Sequence, residues 1–211
     1  MTPDRLDEAV LARVASRLEQ LERRALEGVA RQAAVLVPLC TVDGAPAVLF
    51  TKRSEKVGTH KGQVSFPGGM SDDDDDGPVA TALRELEEEL GIRAASVRVL
   101  GLFHDARAIT GVRVSPVVAY VGALDDLAAL TPSADEIDDV FALTLKDIVD
   151  PTKRSIQTFG TRGPFPVFEA GPYPVWGLTA FILAEVLAEL FDITVVDTSE
   201  AVRIATGADL P

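Results

Sequence analysis

Apolar residues recur at helical spacing in three parts of the chain. In residues 3–31 they return every three or four positions among arginines and glutamates, which predicts one or two amphipathic helices ahead of the main domain. Residues 176–190 repeat this period with few charges and predict a packed final helix. In residues 78–90, leucines 83, 86 and 90 share one face, so a further helix is expected there.

Short β-rich apolar runs fill the intervening chain. Residues 33–40 and 47–51 flank an Asp43-Gly44 pair, which is typical of a tight hairpin between antiparallel strands. Four further runs predict strands or hairpins: residues 62–66, 97–103, 112–121 and 154–168. The segment 133–150 is expected to end in a short helix. Strands interleaved with helices predict an α/β layered domain over residues 33–192, between a helical extension (residues 1–32) and a tail (residues 193–211).

The composition limits the partners. A formal net charge of −13 over 211 residues argues against nucleic acid or an anionic membrane as the main partner, because both need basic surfaces. The single cysteine, Cys40, lies in an apolar run and is expected in the core, which suits a reducing compartment. No apolar run approaches the roughly 18 residues of a membrane span, and the N-terminus is too charged for a signal peptide. A cytoplasmic location is expected.

Carboxylates crowd one face of the predicted helix 78–90. Glu85, Glu88 and Glu89 lie at i, i+3 and i+4, where like charges repel by roughly 0.2–0.5 kcal/mol per pair. A divalent cation would convert that repulsion into binding, and hard oxygen ligands suit Mg²⁺ or Mn²⁺. The pattern therefore predicts a metal site on this helix.

A basic loop precedes the acidic stretch. It holds four cations and a histidine in a chain otherwise short of positive charge: Lys52, Arg53, Lys56, Lys61 and His60. Charge runs are often solvated loops. The alternative is a loop that binds anionic substrate groups opposite the metal, and its position beside the acidic helix favours that interpretation.

The stretch RELEEELGI, from Arg84 to Ile92, matches the second half of the Nudix box, R-E-U-x-E-E-x-G-U, where U is aliphatic. The chain thus resembles the Nudix hydrolase superfamily. The first half, G-x5-E-x7-R, departs from the pattern because the loop is one residue longer. Counted from Gly69, the glutamate position falls on Asp75, and counted back from Arg84, it falls on Asp76.

A second signature resembles the coenzyme A pyrophosphatase subgroup, which has L-L-T-x-R-[SA]-x3-R-x3-G-x3-F-P-G-G just upstream of the box. The run from Leu49 to Ser54, then Gly62, then the FPGG ending at Gly69 fit this signature in register. Phe50 replaces a leucine, and Gly58 replaces the second arginine.

The resemblance implies a Nudix-type α/β/α sandwich with a mixed sheet, and hydrolysis of a diphosphate linked to another moiety. It implies Glu88 and Glu89 as main ligands of Mg²⁺ or Mn²⁺, assisted by Glu85 and a carbonyl near Gly69. Arg84 would orient a box glutamate, and Glu136 is a candidate further ligand or general base. The basic loop would contact substrate phosphates through three residues: Arg53, His60 and Lys61. Glu169 and His60 are weaker candidates for the base.

Three functions stay open at this point. The first is hydrolysis of coenzyme A or its thioesters to 3′,5′-ADP and a 4′-phosphopantetheine product. The second is the same chemistry on ADP-ribose, NADH or a nucleoside triphosphate, which Gly58 keeps open. The third is a catalytically silent ligand-sensing or scaffold domain, which the intact carboxylate cluster argues against. The N-terminal helices would suit a homodimer.

Overall fold

A computed structural model describes residues 2–56, 61–159 and 162–195. Four α-helices lie in these ranges: α1 (Glu8–Gln20), α2 (Gly77–Leu90), α3 (Leu145–Val149) and α4 (Gly177–Phe191). Ten β-strands lie there as well: β1 (Gln32–Val42), β2 (Ala45–Arg53), β3 (Val64–Ser65), β4 (Gly68–Met70), β5 (Arg98–Leu102), β6 (Ala106–Arg107), β7 (Arg113–Ala123), β8 (Ile137–Thr144), β9 (Arg154–Phe159) and β10 (Arg162–Phe168).

Strand β1 is the centre of an eight-stranded mixed sheet. It pairs with β7 in parallel and with β2 and β4 in antiparallel orientation. The remaining strands extend the sheet on both sides, with β8 and β3 on β2 and with β5 and β6 on β7. Strands β9 and β10 form a separate antiparallel hairpin, as predicted, although residues 160–161 at its turn lie outside the described ranges.

Both faces of the sheet are covered by helices. Side chains alternate along β1, so that Leu36 packs beneath α2 while Val37 packs toward α1 and α4. Cys40 is buried on the α2 face. The molecule is therefore an α/β/α sandwich with a mixed sheet, which confirms the predicted fold class.

The predicted hairpin between β1 and β2 forms around Asp43 and Gly44. Both residues have positive φ, 49° and 76°, and Val42 pairs directly with Ala45. Two consecutive residues with positive φ give the primed turn that matches the twist of a two-residue hairpin.

The N-terminal region forms one helix, not two. Residues 21–31 are not helical, because their polar groups bind the edge of the sheet. The Nε of Arg23 donates to the carbonyl of Phe103 (2.8 Å), and the backbone N of Leu26 donates to Asp105 Oδ2 (2.9 Å). In the described part of the chain, no helix is long and apolar enough to cross a membrane.

Candidate active site

Helix α2 is fixed at both ends. Pro78 lies in its first turn, and Gly91 ends it with a left-handed φ of 70° while donating its backbone N to Glu87 O (2.9 Å). Leu86 and Leu90 are fully buried under the sheet. This packing holds the acidic face of α2 against β4 and the end of β2.

Glu89 is the most buried carboxylate on α2, with 1% of its surface exposed. Its Oε2 accepts the backbone N of Gly68 (3.2 Å), and its Oε1 lies 3.5 Å from Arg53 Nη1. Burial raises the pKa of Glu89 to about 8, and the charges of Glu85 and Glu136 add to that effect, whereas Arg53 and the Gly68 N–H oppose it. Without a cation, this carboxyl is therefore mainly protonated at neutral pH.

Glu85 lies against Gly69 of β4. A Cβ built on Gly69 would overlap the Glu85 carboxylate, so a larger residue at this position would displace that side chain. Burial is also the main cause of a raised pKa at Glu85, and Glu88 and Glu136 contribute. The Glu85 carboxylate therefore lies next to the backbone of β4, which carries the Gly69 carbonyl.

Arg84 connects the loop before α2 to the carboxylates on it. Its Nε and Nη2 each donate to Asp75 at 3.0 Å, and its Nη1 donates to both Glu85 Oε1 and Glu88 Oε2 at 2.9 Å. Hydrogen bonding to Arg84 holds the pKa of Asp75 well below its usual range. Asp76 precedes the helix and makes no side-chain bond to it. Of the two positions counted from the sequence, the guanidinium therefore pairs with Asp75.

The carboxylates do not converge on one point. Glu88 is 58% exposed in its side chain and turns toward Arg84. Within the described ranges, no group of three histidine, cysteine, aspartate or glutamate side chains is close enough together to hold a metal ion. Arg84 Nη1 lies between Glu85 and Glu88 and donates to both. The donor chemistry still fits Mg²⁺ or Mn²⁺, because these are hard oxygen ligands and one of them is a buried carboxylate.

Glu136 comes from a different part of the chain but faces the same carboxylates. It is exposed immediately before β8, and its carbonyl accepts the backbone N of Ser54 (2.7 Å). Its charge raises the pKa of both Glu85 and Glu89, which places it near α2. Glu169 is exposed after β10, where its backbone N donates to Lys153 O (2.7 Å).

The basic loop divides between the two sides of the sheet. Arg53 reaches Glu89, but Lys52 lies 3.6 Å from Asp138 and 5.0 Å from the centre of the Tyr173 ring. Lys61 is exposed. His60 and Gly58 lie outside the described residues. Among the predicted substrate contacts, the structure thus brings Arg53 to the acidic face.

Gly68 also contributes to the site, whereas the sequence predicted a role only for the carbonyl near Gly69. Its φ is 153°, and a Cβ there would overlap the backbone carbonyl of Ala34 on β1. Its N–H bonds Glu89, so this glycine positions the buried carboxylate. The available signal was the double glycine of FPGG, since paired glycines often mark such close backbone approaches.

Comparison with known proteins identifies the family. Residues 30–159 match the family model described as NUDIX domain. The chain is 46% identical to the mitochondrial coenzyme A diphosphatase NUDT8 of Mus musculus, over 71% of this chain and 73% of that protein. It is 47% identical to the protein of the same name from Homo sapiens, over 71% and 65%.

A solved structure shows the same fold. The MutT/nudix family protein from Enterococcus faecalis superposes with a TM-score of 0.50 at 18% identity, covering 88% of this chain and 73% of that one. The family model spans more than half of the chain, and the relatives align over most of it. The resemblance found in the sequence is confirmed, and the chain belongs to the Nudix hydrolase family.

Proposed function

We propose that this protein hydrolyses coenzyme A or acyl-coenzyme A to 3′,5′-ADP and (acyl-)4′-phosphopantetheine, in a reaction that depends on a divalent metal. The observation that carries the proposal is the 46–47% identity to two proteins named coenzyme A diphosphatase, in a chain whose α2 retains every glutamate of the second half of the box.

The proposed cation is Mg²⁺ or Mn²⁺, held by Glu85, Glu88, Glu89 and the carbonyl of Gly69. A bound divalent cation neutralises diphosphate charge and lowers the pKa of a bound water. The protein would supply the carboxylate and carbonyl oxygens and hold them in position. Gly68 N–H orients Glu89, and Arg84 keeps Glu85 and Glu88 together on one side of the helix.

Other residues serve the substrate and the water. Arg53, Lys61 and His60 contact the diphosphate oxygens, where guanidinium and ammonium groups match the negative charge. The water oxygen forms a bond to phosphorus, the bridging P–O bond breaks, and the leaving phosphate keeps that electron pair. Glu136 is the candidate base for the water proton or a further metal ligand, since its charge already acts on Glu85 and Glu89.

Two alternatives remain in competition. Gly58 stands where the subgroup signature has an arginine, so ADP-ribose, NADH or a nucleoside triphosphate could be the preferred substrate of the same chemistry. The second alternative is a catalytically silent domain that senses a ligand or acts as a scaffold. The retained carboxylates argue against this alternative.

We also propose four further properties of the protein, which concern its partner, its compartment, its domain bounds and its oligomeric state. The partner is a small molecule and not nucleic acid, as the charge of −13 favours. The compartment is the cytoplasm, although the two relatives are named as mitochondrial proteins. The extension, domain and tail divide at residues 32 and 192, and the N-terminal region serves a homodimer.

A substrate panel tests the proposal. The protein is incubated with Mg²⁺ or Mn²⁺ and coenzyme A, ADP-ribose, NADH or dNTPs, and the products are identified by mass. Preferred release of 3′,5′-ADP from coenzyme A supports it, and preferred turnover of another substrate contradicts it. Glu89→Gln should lower kcat/KM by about 100-fold or more. Glu87→Gln is the matched control, because Glu87 is exposed and bonds only Ala94 N (3.0 Å) among the described contacts.

A further inference from the structure

Arg107 is a partly buried arginine without a partner. Its Nε is buried and unbonded, and within residues 2–56, 61–159 and 162–195 its guanidinium makes no hydrogen bond or ion pair. Six other guanidiniums that are not fully exposed pair with carboxylates, and a seventh, that of Arg154, donates to the Val149 carbonyl (2.9 Å): the six are Arg17, Arg23, Arg24, Arg53, Arg84 and Arg113. A guanidinium that is partly removed from water and has no carboxylate partner favours binding of an anion from solution.

The position of Arg113 also favours an anion site at Arg107. Strands β6 and β7 place Arg107 directly opposite Arg113. Like charges directly opposite across two strands destabilise a sheet. Arg113 is itself held by the Leu26 carbonyl (3.1 Å) and by Gln32 Oε1, so it cannot move away from the pair. An anion bound at this point would relieve the repulsion.

The arginine pair lies on the same face of the sheet as helix α2. Gly69 of β4 pairs with Ala34 of β1, and Ala34 pairs with Ser115 of β7. Side chains two residues apart on a strand share a face, so Arg113 and its partner Arg107 lie on the face that carries the α2 carboxylates.

The distance between Arg107 and the loop before α2 is short enough for one substrate to reach both. Arg113 pairs with Gln32 on β1, and the carbonyl of Gln32 accepts the backbone N of Ser71, at the start of the loop before α2. Three strand spacings therefore separate Arg107 from Ser71, or about 14 Å between backbones.

The nearby acid does not compete for Arg107. Asp105 is buried and already bonded to Arg23, to Leu26 N (2.9 Å) and to Ser115 Oγ (2.7 Å), and it lies 3.9 Å from Arg113 Nε. Its charge is neutralised by these donors. The Nη atoms of Arg107 are not buried, so an incoming anion can reach them.

We infer that Arg107 binds the 3′-phosphate of coenzyme A, the phosphate that lies outside the hydrolysed diphosphate. The inference rests on the proposed function. A terminal phosphate is dianionic and accepts two parallel hydrogen bonds from a guanidinium. The interaction would distinguish coenzyme A from diphosphates that lack this group, such as dephospho-coenzyme A and ADP-ribose.

Equilibrium binding and kinetics test the inference together. Metal-free protein is titrated with 3′,5′-ADP and with 5′-AMP, which lacks the 3′-phosphate. Arg107→Gln should weaken 3′,5′-ADP binding about tenfold or more while leaving AMP unchanged. In turnover, it should raise KM for coenzyme A by a similar factor with little change in kcat, and leave dephospho-coenzyme A unaffected. Arg107→Lys should recover part of the loss. The charge-matched control is Arg93→Gln, exposed beyond the other end of α2.

These experiments distinguish failure of the inference about Arg107 from failure of the proposed function. If the wild type hydrolyses coenzyme A and Arg107→Gln behaves like Arg93→Gln, the inference fails and the proposed function stands. An equal loss for both nucleotides, or for both coenzymes, also overturns it, because the effect is then structural. If the wild type hydrolyses neither coenzyme A nor dephospho-coenzyme A, the proposed function fails and takes the inference with it.

Discussion

At the scale of single residues, burial keeps two ionisable groups neutral at pH 7. The pKa of Glu89 rises to about 8, and that of His104 falls to about 4, in each case mainly because burial penalises the charged form. The positive charges of Arg24 and Arg23 add to the shift at His104. If Glu89 binds the proposed cation it must release its proton, whereas His104 accepts the backbone N of Arg24 at Nδ1 (3.0 Å) and has a structural role.

His104 gives the protein an acid-sensitive contribution to stability. Its folded pKa lies below its unfolded value of about 6.5, so the unfolded chain binds more protons between these values, and stability falls as pH falls from 6.5 toward 4. From pH 7 to pH 5 the contribution lost is about 1–2 kcal/mol. Urea denaturation of metal-free protein at both pH values measures it.

The control for this prediction is His104→Asn, whose side-chain oxygen can still accept the Arg24 N–H. Glu89 acts with the opposite sign, because its folded pKa is raised, but it contributes equally to both proteins. The free energy of unfolding of the wild type, taken relative to that of the variant, should therefore fall by about 1–2 kcal/mol from pH 7 to pH 5. Equal changes in the two proteins would contradict the account of His104.

At the scale of elements, the acidic loop is tied to helix α2 by Arg84. The guanidinium bonds both oxygens of Asp75, the Met70 carbonyl (3.1 Å) and two glutamates of the helix. The loop, the end of β4 and α2 are thus connected through this one side chain.

Asp75→Asn should remove this connection. The charge-assisted bonds to Arg84 become weaker, and the carboxylates on α2 lose part of their positioning, so kcat/KM should fall by about 10- to 100-fold. Asp76→Asn is the adjacent control, because that side chain makes no capping bond, and its activity should stay near the wild-type value. The prediction fails if the two variants have equal kcat/KM.

The sequence predicted the elements whose signals are local. Helix α2 and the Asp43-Gly44 hairpin follow from side-chain period and turn chemistry, and both are present. Of the one or two N-terminal helices that the sequence predicted, one is present, because the bonds of Arg23 and Leu26 to the sheet override a helical period in residues 21–31. In the site, α2 carries the predicted carboxylates. The sequence could not choose between Asp75 and Asp76, or orient Glu88, because contacts with Arg84 decide both.

At the scale of the whole molecule, helix α1 is part of the core. Leu11, Val14 and Leu18 are buried in the cluster that also holds α4 and the sheet. Gly101 on β5 lies so close to Leu18 that a Cβ there would be 2.9 Å from the Leu18 Cβ. The N-terminal region therefore stabilises the sheet on the face opposite α2.

Leu18→Ala should destabilise the fold without changing the chemistry. Loss of a buried leucine and the resulting cavity cost about 2–3 kcal/mol, measured by denaturant unfolding. The kcat/KM of the folded enzyme should not change, since α1 lies on the other face of the sheet from the carboxylates. Arg13→Ala is an exposed control on the same helix. A loss of kcat/KM in folded Leu18→Ala would show that α1 also shapes the site.

Mn²⁺ binding tests most directly whether the α2 carboxylates form a metal site, because in the structure Glu88 pairs with Arg84 and does not converge with Glu89. Isothermal titration is done at pH 7, in buffers of different ionisation enthalpy, on wild type, Glu88→Gln and Glu87→Gln. We expect Mn²⁺ binding with proton release in the wild type, affinity lower by about tenfold or more in Glu88→Gln, and no change in Glu87→Gln. Equal affinity in all three proteins would contradict the proposed metal site.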